Sequence, residues 1–310
     1  MTQPADVTSE PAPPPEPDDQ DRSERSGPPG EAVPDKPSVV RTSRAGRNLV
    51  AAVAVGVLLG ALILVTIYWF PRGFVAVAAA AFVIAVAELV TALIRAGITP
   101  PRLPLLGGTI AMVVCAYAGG LPGLAVAYAA TVLVIVFWRL PAGPADTVRD
   151  VSAGVWAATY VPFLGGFALL MFAQPSGADR IVVFIATTVC SDVGGYAAGV
   201  LAGRHPMAPG ISPKKTWEGF AGSVVACLVG GAALSVWLLH LAWWQGVALG
   251  AAVVVAATLG DLAESAVKRD LGIKDMGRLL PGHGGIMDRL DSLLPVAPVA
   301  YVLLTVFAGG

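Results

Sequence analysis

From residue 49 to residue 308 the sequence is a near-continuous succession of apolar stretches, each close to the length that crosses a bilayer. A helix needs about 20 mostly apolar residues to span a hydrocarbon core of about 30 Å. The stretches at 49–70, 73–94, 104–119, 121–138, 151–172, 180–202, 218–239, 243–263 and 291–308 meet that need. The third and fourth are short and meet at Gly119-Gly120, which allows a tight hairpin. All are rich in Ala, Val, Leu and Gly, small residues that let backbones pack closely where lipid supplies no hydrophobic drive. The expected fold is therefore all-α: a polytopic integral membrane protein with about nine transmembrane helices.

Charge supports this reading. Only 13% of the 310 residues are charged, about half the share of a soluble globular chain, which all but excludes a soluble enzyme. The net charge of −1 gives no basic surface for nucleic acid, so none is expected as a partner. With the N-terminus placed in the cytoplasm, fifteen of the twenty Lys and Arg fall in inside segments, three lie in the distal tail, and only Arg72 and Arg180 fall outside. That bias follows the positive-inside rule. The three cysteines, Cys115, Cys190 and Cys227, fall within spans and read as small buried hydrophobes.

Three regions are expected. Residues 1–47 form an acidic, proline-rich cytoplasmic tail; nine of the 21 acidic residues lie between Asp6 and Asp35, and such a segment buries too little apolar surface to order itself. Residues 48–172 form about five spans with little polar chemistry apart from Glu88, which either lines a pocket or is hydrogen-bonded inside the bundle. Residues 173–310 form about four spans joined by cytoplasmic loops at 203–217 and 264–290. Eight of the twelve acids outside the tail gather there: Asp192, Glu218, Asp261, Glu264, Asp270, Asp275, Asp288 and Asp291.

Asp261, Glu264, Ser265 and Lys268 are spaced i, i+3, i+4, i+7, which sets them on one helical face. The ordinary reading of such spacing is a solvated helix end with local ion pairs. The stretch that follows points elsewhere. Pro281-Gly282-His283-Gly284-Gly285 is a glycine-rich turn whose backbone N–H groups can cradle phosphate. It leads directly into Asp288 and Asp291. Hard cations such as Mg²⁺ are held by one or two carboxylates together with substrate phosphates, and Asp261 and Asp288 are candidates to meet across two helix ends. His283, flanked by glycines, has no core to join and reads as phosphate- or metal-linked. On the same side, Ser212, Lys214, Lys215 and Thr216 precede a helix, an arrangement of cations and donors that suits an anion. Asp192 lies deep enough in its span to be costly unless it faces a polar site.

At these residues the sequence resembles the CdsA-type phosphatidate cytidylyltransferases, also called CDP-diacylglycerol synthases. The resemblance rests on Ser265, Val267, Lys268-Arg269, Lys274-Asp275, Gly277, Leu280-Pro281, His283-Gly284-Gly285 and Asp288-Arg289-Leu290-Asp291, which match the family signature at every specified position over 27 residues. It extends to Ser191–Tyr196 and Ser212–Gly219. The first five spans match only in character, and the acidic tail lies outside the family pattern.

The resemblance implies the reaction CTP + phosphatidic acid → CDP-diacylglycerol + pyrophosphate, run with divalent metal at the cytoplasmic face of a bacterial cell membrane. It implies Asp261 and Asp288 as the Mg²⁺ pair, with a second cation left open. It implies Asp192, Glu264 and Asp291 as supporting carboxylates; Glu218 and Asp275 are added from the acid cluster. Lys214, Lys215, Lys268, Arg269, Lys274 and Arg289 would be divided between the CTP phosphates and the lipid phosphate. Lys268 and Arg269 are grouped with the metal pair as catalytic, and Ser212, Thr216, His283, Gly284 and Gly285 with phosphate binding. A homodimer and transfer to another lipid phosphate stay open. A proton-coupled transporter is the main reading of another class. It predicts inverted repeats between the halves, and the sequence has none.

Overall fold

The computed structural model describes residues 45–277, 279 and 284–308, with side chains from Gly56 onward. The chain is helical almost throughout. Its elements are α1 (Ala45–Trp69), α2 (Pro71–Arg95), α3 (Arg102–Arg139), α4 (Thr147–Ala158), α5 (Leu164–Phe172), α6 (Gly177–Ala202), α7 (Trp217–Leu239), α8 (Trp243–Asp270), the four-residue α9 (Met287–Leu290) and α10 (Leu293–Ala308). A π-helical turn, Thr159–Phe163, joins α4 to α5 without a break and carries Pro162. Seven helical segments among the described residues are long and apolar enough to cross a membrane, and Gly56–Trp69 adds a shorter apolar helix. This is a multi-pass architecture, as the run of apolar stretches anticipated.

The third and fourth stretches lie within α3. At Gly120 the backbone leaves helical geometry, with φ of 61°, which a residue without a Cβ adopts freely. The two arms then fold back on each other. A Cβ at Gly108 would fall 2.3 Å from the Thr131 side chain, and one at Gly123 would fall 2.4 Å from the Cys115 carbonyl. The glycine pair read from the sequence therefore makes a helical hairpin.

Three details correct the sequence reading. The fold is not purely helical: Pro206–Ala208 (β1) and Ser212–Thr216 (β2) pair as an antiparallel ribbon inside the 203–217 segment. Two strands this short carry no periodicity that sets them apart from a loop. The 264–290 segment is helical at both its ends, because α8 runs to Asp270 and α9 starts at Met287. Helix is already present at Ala45, ahead of the expected boundary at 48.

Alternating helix directions place the chain's connections at two ends. At one end Asp150 draws three elements together. Its carboxylate accepts from the Thr99 amide (2.9 Å), the Thr99 hydroxyl (2.7 Å) and Arg139 Nε (3.2 Å). At the other end Arg180 donates to the carbonyl of Leu304 (2.9 Å) and to Gln174 (2.6 Å), tying α6 to the end of α10. Among the described residues, every Lys and Arg other than Arg72 and Arg180 lies at the first end. Val57, Leu58, Val126, Phe137, Val193, Leu201 and Trp237 are exposed on the helix flanks, as a hydrocarbon surround requires.

The helices that carry the polar end pack backbone to backbone. A Cβ on Gly222 of α7 would reach 2.3 Å from Ala198 of α6, and one on Gly250 of α8 would reach 2.1 Å from the Cys227 carbonyl of α7. With so little room, Gly250→Val forces α7 and α8 apart. Overpacking of this kind costs on the order of 3 kcal/mol. The expected outcome is a thermal unfolding midpoint lowered by several degrees in detergent solution; an unchanged midpoint would contradict the close approach.

Candidate active site

The polar end of α6, α7, α8 and α9, with the ribbon, encloses a cavity of about 660 Å³. Each wall has its own origin. The α6 wall supplies Ser191, Asp192 and Tyr196, beside Gly195 and Gly199, whose missing side chains let α6 lie close against Ser223, Gly219 and Thr216. The ribbon and the start of α7 supply Lys214, Lys215 and Thr216. Thr216 also caps α7, its hydroxyl accepting from the Gly219 amide at 3.1 Å, so the lysines sit just ahead of a helix N-terminus. Thr258 and Asp261 come from α8, and Asp288, Arg289 and Asp291 come from the α9 turn.

Two lysine–carboxylate pairs organise the charge. Lys215 Nζ donates to Asp261 Oδ2 at 2.6 Å, linking the ribbon to α8. Lys268 Nζ lies 2.6 Å from Glu264 Oε2 and donates to Asp288 Oδ1 at 2.9 Å, linking α8 to the turn. The second group is deeply set. The Glu264 side chain is 1% exposed and that of Asp288 5%. Ions buried this way persist only when paired and hydrogen-bonded, since each gives up several kcal/mol of hydration. Asp288 satisfies that demand fully: the amides of Met276 (3.1 Å) and Gly285 (2.8 Å) add to Lys268. Gly284 makes the approach easier, with φ of +82° and Asp288 Oδ2 only 2.9 Å from where a Cβ would sit. Glu264 Oε1 has no hydrogen-bond donor among the described residues.

The cavity thus joins oxygen donors of the kind a hard cation takes with ammonium and guanidinium groups that suit phosphates. Among the described residues, no three carboxylate, His or Cys side chains converge on one point. A closed protein cage for a metal is therefore not seen among the described residues.

All of this architecture but the first turn of α1 and the last residue of α10 falls within one matched region. The model of the cytidylyltransferase family matches residues 50–307. The chain is 44% identical over 284 residues to the phosphatidate cytidylyltransferase of Mycobacterium leprae, covering 86% of this chain and 91% of that protein. It is 43% identical over 277 residues to the phosphatidate cytidylyltransferase of Mycobacterium tuberculosis H37Rv, covering 85% and 84%. A phosphatidate cytidylyltransferase from Brucella suis is 37% identical over 151 residues, covering 47% of this chain. The chain belongs to the cytidylyltransferase family.

The residues expected for a cytidylyltransferase-family site are not all in the cavity. Asp192, Lys214, Lys215, Thr216, Asp261, Asp288, Arg289 and Asp291 line it. Glu264 and Lys268 stand behind it and hold Asp288. Gly284 and Gly285 shape the turn. Arg269 points away, donating to the Ile211 carbonyl at 3.3 Å and so anchoring the ribbon to α8. Glu218 also faces elsewhere: it accepts from the amides of Arg204 (3.1 Å) and His205 (3.2 Å) and pairs with the His205 ring. Its work is to close the connection from α6 to the ribbon. Lys274 and Asp275 are exposed, and neither they nor Ser212 line the cavity. His283 lies outside the described residues. Tyr196, Met207, Phe220 and Thr258 line the cavity without having been singled out. Apart from Tyr196, beside the Asp192 motif, no sequence signal marked them, because apolar and hydroxyl residues in spans are common everywhere.

Proposed function

We propose that this chain transfers the cytidylyl group of CTP to phosphatidic acid, giving CDP-diacylglycerol and pyrophosphate. The observation that carries the reading is the near full-length relationship to proteins named phosphatidate cytidylyltransferase, in a chain whose signature segment wraps Asp288 at the polar end of a membrane bundle. A phosphate oxygen of phosphatidic acid attacks the α-phosphorus of CTP. The new P–O bond forms in line with the bond to the β-phosphate, which breaks, and pyrophosphate leaves. Phosphatidic acid is anionic near neutral pH, so the nucleophile needs no strong base. The barrier is chiefly repulsion between phosphates and charge on the leaving group. Lys214, Lys215 and Arg289 meet both on the cavity wall.

Mg²⁺ is the cofactor of this reading, held by Asp261 and Asp288, and when bound it neutralises phosphate charge and aligns the reacting groups. Asp192 and Asp291 extend the carboxylate wall around it. The same reading has nine crossings, counting the two arms of α3 separately, with the N-terminus and the cavity on the cytoplasmic side of a cell membrane. CTP then enters from the cytosol, and the lipid keeps its acyl chains among the spans or in the leaflet.

Purified protein given CTP labelled in its α-phosphate should convert phosphatidic acid to labelled CDP-lipid with release of pyrophosphate, in a reaction that stops on chelation of divalent ions. Labelled lipid formed only with a different lipid phosphate would replace the acceptor. No labelled lipid with any acceptor would overturn the reading.

A further inference from the structure

The mechanism uses nothing from the first five apolar stretches, yet one of their side chains reaches the signature loop. Glu88 is the only acidic residue in α2 and lies near its polar end. Its Oε2 accepts from the Met287 amide at 2.9 Å, across 199 residues of sequence. The loop closes around the same carboxylate from both sides. A Cβ added at Gly277 would stand 2.0 Å from Glu88 Oε1, and one added at Gly285 would stand 2.3 Å from Oε2.

These three contacts are not scattered. Gly277 follows Met276, whose amide donates to Asp288; Gly285 donates to Asp288 itself; Met287 precedes Asp288. Each point where the loop touches Glu88 is therefore at, or one residue from, a group that orients Asp288. A carboxylate at this depth is costly unless it is engaged. Here the engagement is with backbone that would otherwise be free to shift. Small displacements matter because productive geometry must be held within about 0.5 Å.

We infer that Glu88 is a positioning residue: a peg on α2 against which Gly277, Gly285 and Met287 rest, fixing Asp288 in the cavity. The inference takes from the proposed function only that Asp288 belongs to the reacting site. It assigns the N-terminal helices a part in the chemistry, and it gives Gly277 and Gly285 a reason beyond turn formation, namely space for the Glu88 carboxylate. The part played is the shape of the carboxyl group as an acceptor, so glutamine should serve nearly as well as glutamate.

The experiment uses the full-length protein in detergent, as wild type, E88Q, E88A, G277A and E88A/G277A. E88A is expected to lower kcat at least 30-fold with KM for CTP within threefold, and E88Q to stay within threefold of wild type in both. Amide hydrogen exchange of the 276–287 segment should quicken at least tenfold in E88A and G277A, with α6, α7 and α8 unchanged. Removing the carboxylate leaves room for the alanine, so the double variant should lose no more than E88A alone. Three results would overturn the inference: E88A with wild-type kcat and exchange, E88Q as impaired as E88A, or a change confined to KM. If wild-type protein makes no CDP-lipid, the functional reading fails while the exchange measurement still decides the role of Glu88. If E88A does not fold, E88Q and G277A carry the test.

Discussion

Asp288→Asn should lower the rate of CDP-lipid formation about 1,000-fold, equivalent to about 4 kcal/mol of transition-state stabilisation, in a protein that still inserts and elutes as the wild type does. The carboxylate sits where three donors converge: Lys268 Nζ, the Met276 amide and the Gly285 amide. Asparagine keeps the volume but replaces one acceptor oxygen with an NH₂ group that must face one of those donors. Among the described residues, it also leaves the Lys268 ammonium with Glu264 alone as ion-pair partner. An unmatched buried donor costs about 1–3 kcal/mol, which the many apolar contacts of α8 and α10 can absorb. On the proposed reading the rate falls because Asp288 would be one of the two carboxylates holding Mg²⁺, and it is the cation that would offset repulsion between the phosphates. A purified variant within tenfold of the wild-type rate would remove Asp288 from the reacting centre.

The second large effect belongs to Asp261. Its side chain is 24% exposed, so Asp261→Asn should leave stability nearly unchanged. The rate should fall at least 100-fold, and the Mg²⁺ concentration for half-maximal activity should rise. Lys215 separates the two roles open to this carboxylate, since the pair meets at 2.6 Å. If Asp261 serves chiefly to orient Lys215, Lys215→Met should cost as much as Asp261→Asn, and the double variant no more than either. If Asp261 binds metal, Lys215→Met should act mainly on apparent CTP affinity, with the Mg²⁺ dependence displaced only in Asp261→Asn. An Asp261→Asn rate within threefold of wild type would exclude both roles.

The helical frame was legible because membrane helices are written in composition. A run of about 20 apolar residues has few other fates when backbone polar groups must be satisfied internally. Even the α3 hairpin was marked, by two adjacent glycines. The cluster of carboxylates was legible for a related reason: charges in an apolar chain are costly, so their gathering at 261–291 is informative.

Orientation was not legible. Helical spacing put Asp261, Glu264 and Lys268 on one face. Only the fold separates Asp261, which meets Lys215 at the cavity wall, from Glu264 and Lys268, which brace Asp288 from behind. Glu218 and Arg269 stood in the right segments, and their side chains turn to backbone of the α6–β1 connection and of the ribbon. The β1–β2 ribbon was missed because strands of three and five residues carry no periodicity of their own; what fixes them is their pairing with each other and the Arg269 hydrogen bond to the Ile211 carbonyl.

The sequence by itself determined that this chain is a membrane bundle, that its cations gather toward one face, and that carboxylates, lysines and glycines cluster near the end of the chain. Those properties depend on the solvation cost of each residue, which is local. Tertiary structure decided which charges meet, because a hydrogen bond is formed over about 3 Å between groups whose separation in sequence is unconstrained. Glu88 is the clearest case. As a residue in a span it was only an anomaly; its place beneath Gly277, Gly285 and Met287 exists because α2 and α9 pack together across 199 residues of sequence.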